Sequence, residues 1–133
     1  MRYILGLALL LFFAFAFNSC KKYPDDDNFM HLKTVKKRLC ERNFLQDYVY
    51  NYVTNTQGNT FPSDNLIFDS NKTFRSGSPY FYTATKWEFL DKKNGFRLTF
   101  SNGFQKEYEI TRLEKNYLWF KSDSILFEYI VKN

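Results

Sequence analysis

From Asn43 to Val131 the apolar residues recur at every second position in short stretches, and each stretch ends in a cluster of Asn, Asp, Gly, Ser or Pro. A period of two puts successive side chains on opposite faces of an extended chain, so each stretch predicts a β-strand with one apolar face. About eight such strands can be read. The first begins at Asn43, with Phe44, Tyr48, Tyr50 and Tyr52 on one parity and Leu45, Val49 and Val53 on the other. It is therefore apolar on both faces for part of its length. Thr54 to Ser63 is polar, contains Gly58 and Pro62, and reads as a long loop. Leu66 to Phe68 and Thr73 to Arg75 flank the tight turn Asp69-Ser70-Asn71-Lys72 and form a hairpin.

Tyr80 to Leu90 reads as one extended strand, with Thr83, Thr85, Trp87 and Phe89 on one face and Lys86 and Glu88 on the other. Asn94-Gly95 is the strongest short hairpin signal in the chain and predicts the next turn. Phe96, Leu98 and Phe100 then alternate with Arg97 and Thr99. Tyr108 and Ile110 alternate with Glu107, Glu109 and Thr111. Leu118 and Phe120 alternate with Trp119 and Lys121, and Phe127, Tyr129 and Val131 with Glu128 and Lys132. Short turns force sequential neighbours to pair, so the expected fold is all-β, an antiparallel meander of about eight strands. A sheet of that size with one apolar face buries it most economically by closing into an up-and-down barrel. A two-sheet sandwich is the alternative.

Composition agrees with strands. Of 28 Phe, Tyr and Trp residues only five lie in the first 19 positions, and after those positions Ala84 is the sole alanine. Aromatics without alanine suit a pleated, half-buried surface better than a helix. One helix is expected, over residues 29–40. There Leu32, Val35 and Leu39 fall at helical spacing, Asp27 or Asn28 can cap the start, and Lys33, Lys36, Lys37 and Arg38 form a basic face, read as solvated, with a face turned toward the membrane as the alternative. The domain is thus expected to span residues 29–133.

The chain opens with Arg2, an apolar run from Ile4 to Phe17, and Asn18-Ser19-Cys20. The run is shorter than the roughly 20 apolar residues that a spanning helix needs, so it reads as a signal peptide over residues 1–19. Two cleavage sites compete: Ala14-Phe15-Ala16 has the small-x-small pattern, and Ser19-Cys20 resembles a bacterial lipobox, whose cysteine is acylated and becomes the new N-terminus. Phe17 and Asn18 depart from the usual lipobox residues. Residues 20–28, with Lys21-Lys22-Tyr23-Pro24-Asp25-Asp26-Asp27-Asn28, read as an extended tether reaching roughly 25–30 Å. Clustered acids after a cysteine resemble the export signals of surface lipoproteins of the Bacteroidota. The lipobox is the preferred reading, with Cys20 as the lipidated residue, membrane attachment through it, and the cell envelope, at the outer membrane, as the compartment. Acylation of Cys20 and a Cys20–Cys40 disulfide exclude each other, and Cys40 reads as a small buried hydrophobe.

Leu66-Ile67-Phe68-Asp69-Ser70-Asn71-Lys72-Thr73-Phe74, Lys86-Trp87-Glu88-Phe89, Tyr108-Glu109-Ile110-Thr111-Arg112-Leu113 and Phe127-Glu128-Tyr129-Ile130 together resemble the lipocalin-like domains of Bacteroidota lipoproteins. The resemblance implies a small barrel on a lipid tether, with an interior that is either filled or sized for one ligand, and it carries no catalytic residues. Asn43-Phe44 stands where a tryptophan often opens the first strand, and Ser70-Asn71 where Asp-Gly is usual.

The remaining chemistry is sparse. The formal net charge of +5 falls to +4 when Arg2 leaves, and no basic run is interleaved with aromatics, so nucleic acid is not an expected partner. His31 is the only histidine, and no zinc site or Cys–His nucleophile has its ligands; no metal and no cofactor are expected. Glu107 and Glu109 lie on one solvent face and read as solubilising charges, so catalysis is not expected. Trp87, Phe89, Phe96, Leu98, Phe100, Tyr108 and Ile110 are the expected core. Tyr48, Tyr50, Tyr52, Tyr80 and Tyr82 are candidate contacts for a small apolar or sugar ligand or for an outer-membrane protein partner. Ser124, in Asp123-Ser124-Ile125, is a candidate O-glycosylation position.

Overall fold

The computed structural model describes Tyr23 and residues 34–40, 42–60 and 64–131. The leader, Cys20, the acidic stretch Asp25 to Asn28, His31 and the expected start of the helix lie outside these residues. Helix α1 spans Val35–Leu39, and nine strands follow: β1 Asn43–Asn51, β2 Thr56–Gln57, β3 Asn65–Phe68, β4 Phe74–Ser76, β5 Ala84–Phe89, β6 Gly95–Phe100, β7 Gln105–Leu113, β8 Tyr117–Ser122 and β9 Ile125–Val131. All pair antiparallel in the order β4-β3-β1-β9-β8-β7-β6-β5, with β2 set against β1. Thr73 pairs with Lys86, and the Trp87 N–H donates to the Lys72 carbonyl at 3.0 Å, so the outer strands β4 and β5 also meet. The result is a nearly closed, eight-stranded up-and-down barrel, in which β2 is a short addition within the expected loop.

The interior is aromatic. Phe44, Phe68, Phe74, Trp87, Phe96, Tyr108, Phe120, Phe127 and Tyr129 are buried in one cluster. Phe68 sits edge-on to Phe74, Trp87 and Phe96 at 5.0–5.4 Å between centroids, and Phe120 stacks on Phe127 at 5.1 Å. Edge-to-face and offset stacks are the arrangements in which aromatic rings interdigitate. The outer wall carries charge instead: Arg97 bridges Glu88 and Glu107, and Lys121 pairs with Glu109. A wall of this polarity belongs in water, since a membrane-spanning barrel turns its apolar side outward.

Several expectations change. Three β-bulges, at Gln46/Tyr48, Ala84/Lys86 and Ile110/Arg112, reverse the side-chain parity partway along β1, β5 and β7. Phe44 and Val49 therefore both point inward, while Tyr48, Tyr50 and Tyr52 move off the Phe44 face. Ala84 and Trp87 face the core with Thr85 and Lys86 outside, and Thr111 is buried. Phe89 and Phe100 are only partly buried, packed against the cluster.

Strand β5 begins at Ala84 rather than Tyr80, because the chain turns through Tyr80 to Thr83 and drives Phe81 into the barrel. Asn94-Gly95 is not the turn's centre. The left-handed residues are Lys92 and Lys93, and Gly95 already belongs to β6, where a Cβ would stand 2.2 Å from the Tyr108 carbonyl oxygen. Glycine is needed there for close approach of two strands.

The barrel has two unlike ends. At the helix end, α1 and the turns β3–β4, β5–β6 and β7–β8 come together. Thr34 caps α1 in an extended conformation, its hydroxyl accepting from the Lys37 N–H at 3.3 Å, so α1 starts at Val35. Arg38 is buried, not solvated, and its guanidinium donates to the Leu113 carbonyl. Tyr23 differs most from expectation. Although it lies in the stretch read as unpackable, it is buried, and its hydroxyl donates to the Lys93 carbonyl at 2.7 Å. Arg38 lies over its ring at 5.9 Å. Cys40 is buried beside them, next to Phe68. At the opposite, loop end stand the described segments 52–60, 77–83, 101–104 and 123–124, with Asp64.

Candidate loop-end recognition site

The loop end is built on Phe81. Its ring enters the barrel and contacts Phe74, Tyr108, Phe120 and Phe127 at 5.1–6.5 Å, which fixes the neighbouring Tyr80 and Tyr82 on the rim. Tyr80 lies against Phe127 at 5.5 Å and is 37% exposed, whereas Tyr82 is 72% exposed. Next to it, the bulge in β1 sets up a ladder of tyrosines on that strand's outer face. Tyr48 stacks on Tyr50 at 6.2 Å, and Tyr50 meets Tyr52 edge-on at 5.1 Å. The Tyr50 hydroxyl donates to the Asn55 side chain, and Asn51 accepts from the N–H groups of Val53 and Thr54, so the loop after β1 is tied back to its strand. Tyr48 and Tyr50 are half-buried, and Tyr52 is exposed.

Among the described residues, five of the six large apolar side chains most open to solvent belong to this end: Tyr52, Val53, Tyr80, Tyr82 and Phe104. Phe104 was not among the sequence candidates, although its place directly after Asn102-Gly103 marks it as a turn residue. Ser124, in the β8–β9 turn, is half-buried, and its carbonyl accepts from the Tyr52 N–H at 2.7 Å. The structure thus gathers Tyr48, Tyr50, Tyr52 and Ser124 on one side of the rim and Tyr80 and Tyr82 on the Phe81 loop. Cys20 lies outside the described residues.

Beneath the rim is a buried polar network that periodicity does not reveal. Asp64 and Ser78 are fully buried. The Tyr129 hydroxyl donates to Asp64 at 3.3 Å and accepts from the Gln46 amide at 3.3 Å, and Ser78 Oγ accepts from the Tyr80 N–H at 3.2 Å. Burial pushes the Asp64 carboxyl above the usual carboxylate range, against the hydrogen bonds from Ser78 and Tyr129. Burial also raises the Tyr129 phenol, with Asp64 adding to it. This buried hydrogen-bonded network ties Asp64, just before β3, and the loop 77–83 to the barrel wall.

The described loops at this end are otherwise polar and uncharged: Thr54, Asn55, Thr56, Gln57, Asn59, Thr60, Ser101 and Asn102 surround the rings, and Asp123 is the exposed ionisable side chain. Against family models, curated proteins and solved structures, the chain matches none. Its site has to be read from its own chemistry. Two clefts of about 400 and 460 Å³ open on the outer wall, and both are lined by the paired charges Glu107 with Arg97 or Glu109 with Lys121. Among the described residues no three His, Cys, Asp or Glu side chains gather as a metal site would require.

Proposed function

We propose that this chain is a lipid-anchored, non-enzymatic binding protein of the cell envelope, which recognises a neutral sugar surface with the rim of its barrel rather than with its interior. The observation that carries this reading is the composition of the loop end, where the exposed rings of Tyr52, Tyr80, Tyr82 and Phe104 are set among amides and hydroxyls with almost no charge. Flat, weakly polar rings stack on the C–H faces of sugars, and neighbouring amides satisfy the hydroxyls. Tyrosine provides that area with little entropy to lose. The interior supports the same choice, since Phe81 and its neighbours occupy the described part of the space a small apolar ligand would need. The anchor at Cys20 and the outer-membrane address rest on the lipobox and on the resemblance to lipocalin-like lipoproteins of the Bacteroidota.

Affinity electrophoresis of the full-length protein through gels containing neutral polysaccharides tests the reading. Retardation is expected for the wild type, with Tyr52→Ala and Tyr82→Ala each weakening it about tenfold, or about 1.4 kcal/mol, while circular dichroism is unchanged. Unretarded wild type would overturn sugar recognition. The aromatic cluster inside the barrel favours one second reading, an accessory subunit of an outer-membrane assembly. Cross-linking in intact cells from a photoreactive residue at position 82 would then capture a single protein neighbour.

A further inference from the structure

We infer that the helix end of the barrel rests directly on anionic lipid headgroups of the membrane that holds the anchor; this deepens the lipid-anchor reading and depends on it. Three observations carry the inference. The first is reach. Tyr23 is locked into the barrel by burial and by its 2.7 Å hydrogen bond to the Lys93 carbonyl. Cys20 is only three residues earlier, so even a fully extended chain between them spans about 10 Å. That is close to the screening length of about 8 Å at physiological salt, whereas the full tether reaches far beyond it.

The second is charge. Lys36, Lys37, Lys72, Lys92, Lys93 and Lys115 are all exposed on α1 and the three turns of this end. Among the described residues the acids of these segments are fewer, and two of them are already paired: Asp69 binds Arg75, and Glu114 binds Arg112. Asp91 is the remaining exposed acid among the described residues of these segments. The described loops of the other end, by contrast, carry no lysine or arginine.

The third is backbone. Lys72, Lys92 and Lys93 occupy left-handed conformations at φ 71°, 58° and 56°, where glycine or asparagine would be accommodated at less cost. Three lysines at such positions, all on the end nearest the anchor, indicate that positive charge there outweighs backbone ease. With this end held down, the tyrosine rim points away from the bilayer.

Amine acetylation followed by mass spectrometry tests the contact. The full chain, processed in a lipoprotein-competent host, is reconstituted in vesicles of phosphatidylcholine alone or with one third phosphatidylglycerol. On the anionic vesicles the six lysines should react at least about fivefold more slowly, the factor given by one headgroup attraction per lysine. Lys106 and Lys121, nearer the other end, should be unchanged, and the contrast should vanish at 1 M salt. Replacing Lys92, Lys93 and Lys115 by glutamine should restore reactivity at Lys36 and Lys37. Equal rates on both vesicles, or protection of Lys106 instead, would overturn the inference. Labelled fatty acid in the same preparation separates it from the anchor. Label with unprotected lysines refutes the contact and keeps the anchor, and absence of label refutes the anchor and the anchored contact with it.

Discussion

At the scale of single residues the informative positions are those where local preference and tertiary structure disagree. Lys72 is one. Its N–H donates to Asp69 and its carbonyl accepts from Trp87, both backbone contacts that any residue can make, yet its φ of 71° strains an L-residue. Lys72→Gly is therefore expected to raise stability by about 0.5–1 kcal/mol, the relieved strain less the extra entropy of an unfolded glycine. Urea denaturation measures this, and a loss of stability would contradict the strain argument. Asp64 is another. Its folded carboxyl titrates above the unfolded value of about 3.9 because it is buried. Folding then favours the protonated form, so its contribution is complete below pH ~4 and declines as pH rises through the folded value. Asp64→Asn does not titrate. The stability of the asparagine variant relative to wild type should climb from pH ~4 upward, and a gap that stays flat over that range would show that Asp64 is not held in its neutral form.

At the scale of elements, the alternation of apolar and polar residues located nearly every strand, because a half-buried strand repeats its environment every second residue. What alternation could not place are the three bulges, each of which inserts one residue and flips the parity that follows. That is why Tyr48, Tyr50 and Tyr52 separate from Phe44, and why Thr111 is inside. Two-residue β2 has too few positions to show a period, and Tyr80 to Thr83 has strand composition but is bent by the need to seat Phe81. Most of the candidate site was legible on this basis: Tyr52 stands out on the first strand and Tyr80 and Tyr82 beside a Gly/Pro/Ser loop, while Phe104 does not. The buried pair Asp64 and Ser78 was not legible, since nothing local marks a polar residue as interior. The Phe81 loop supplies a paired test. Phe81→Ala, which removes a ring that is 1% exposed, should cost about 3–5 kcal/mol, while Tyr82→Ala next to it should stay within about 0.5 kcal/mol. Equal costs would mean that the rim, not the plug, holds this loop.

At the scale of the whole molecule, the fold class was legible because short turns leave only sequential pairing, and closure followed from the lack of any other cover for the apolar face. The polarity between the two ends was not, for it depends on which turns share an end. The packing of Tyr23 was hidden as well, since a tyrosine among lysines, a proline and aspartates has no local partner and finds one only at the Lys93 turn. The compartment belongs to this scale too. Labelled fatty acid should enter the wild-type protein and not Cys20→Ala, and label retained by the mutant would move the anchor elsewhere.

The pairing of β1 with β9 has a temporal consequence. It is the seam of the ring, and it joins Phe44 to Val131 and Asn51 to Ile125, so the first long strand made must wait for the last. At about 5–20 residues per second of synthesis the interval between them is roughly 4–15 s. Throughout it one edge of β1 has no strand to bind, and bare edges are where chains stick to one another. A protein so joined can neither finish folding early nor stay long half-made without a chaperone's protection. It reaches any membrane machinery as an open chain, and becomes a barrel only when its final seven strand residues have been delivered.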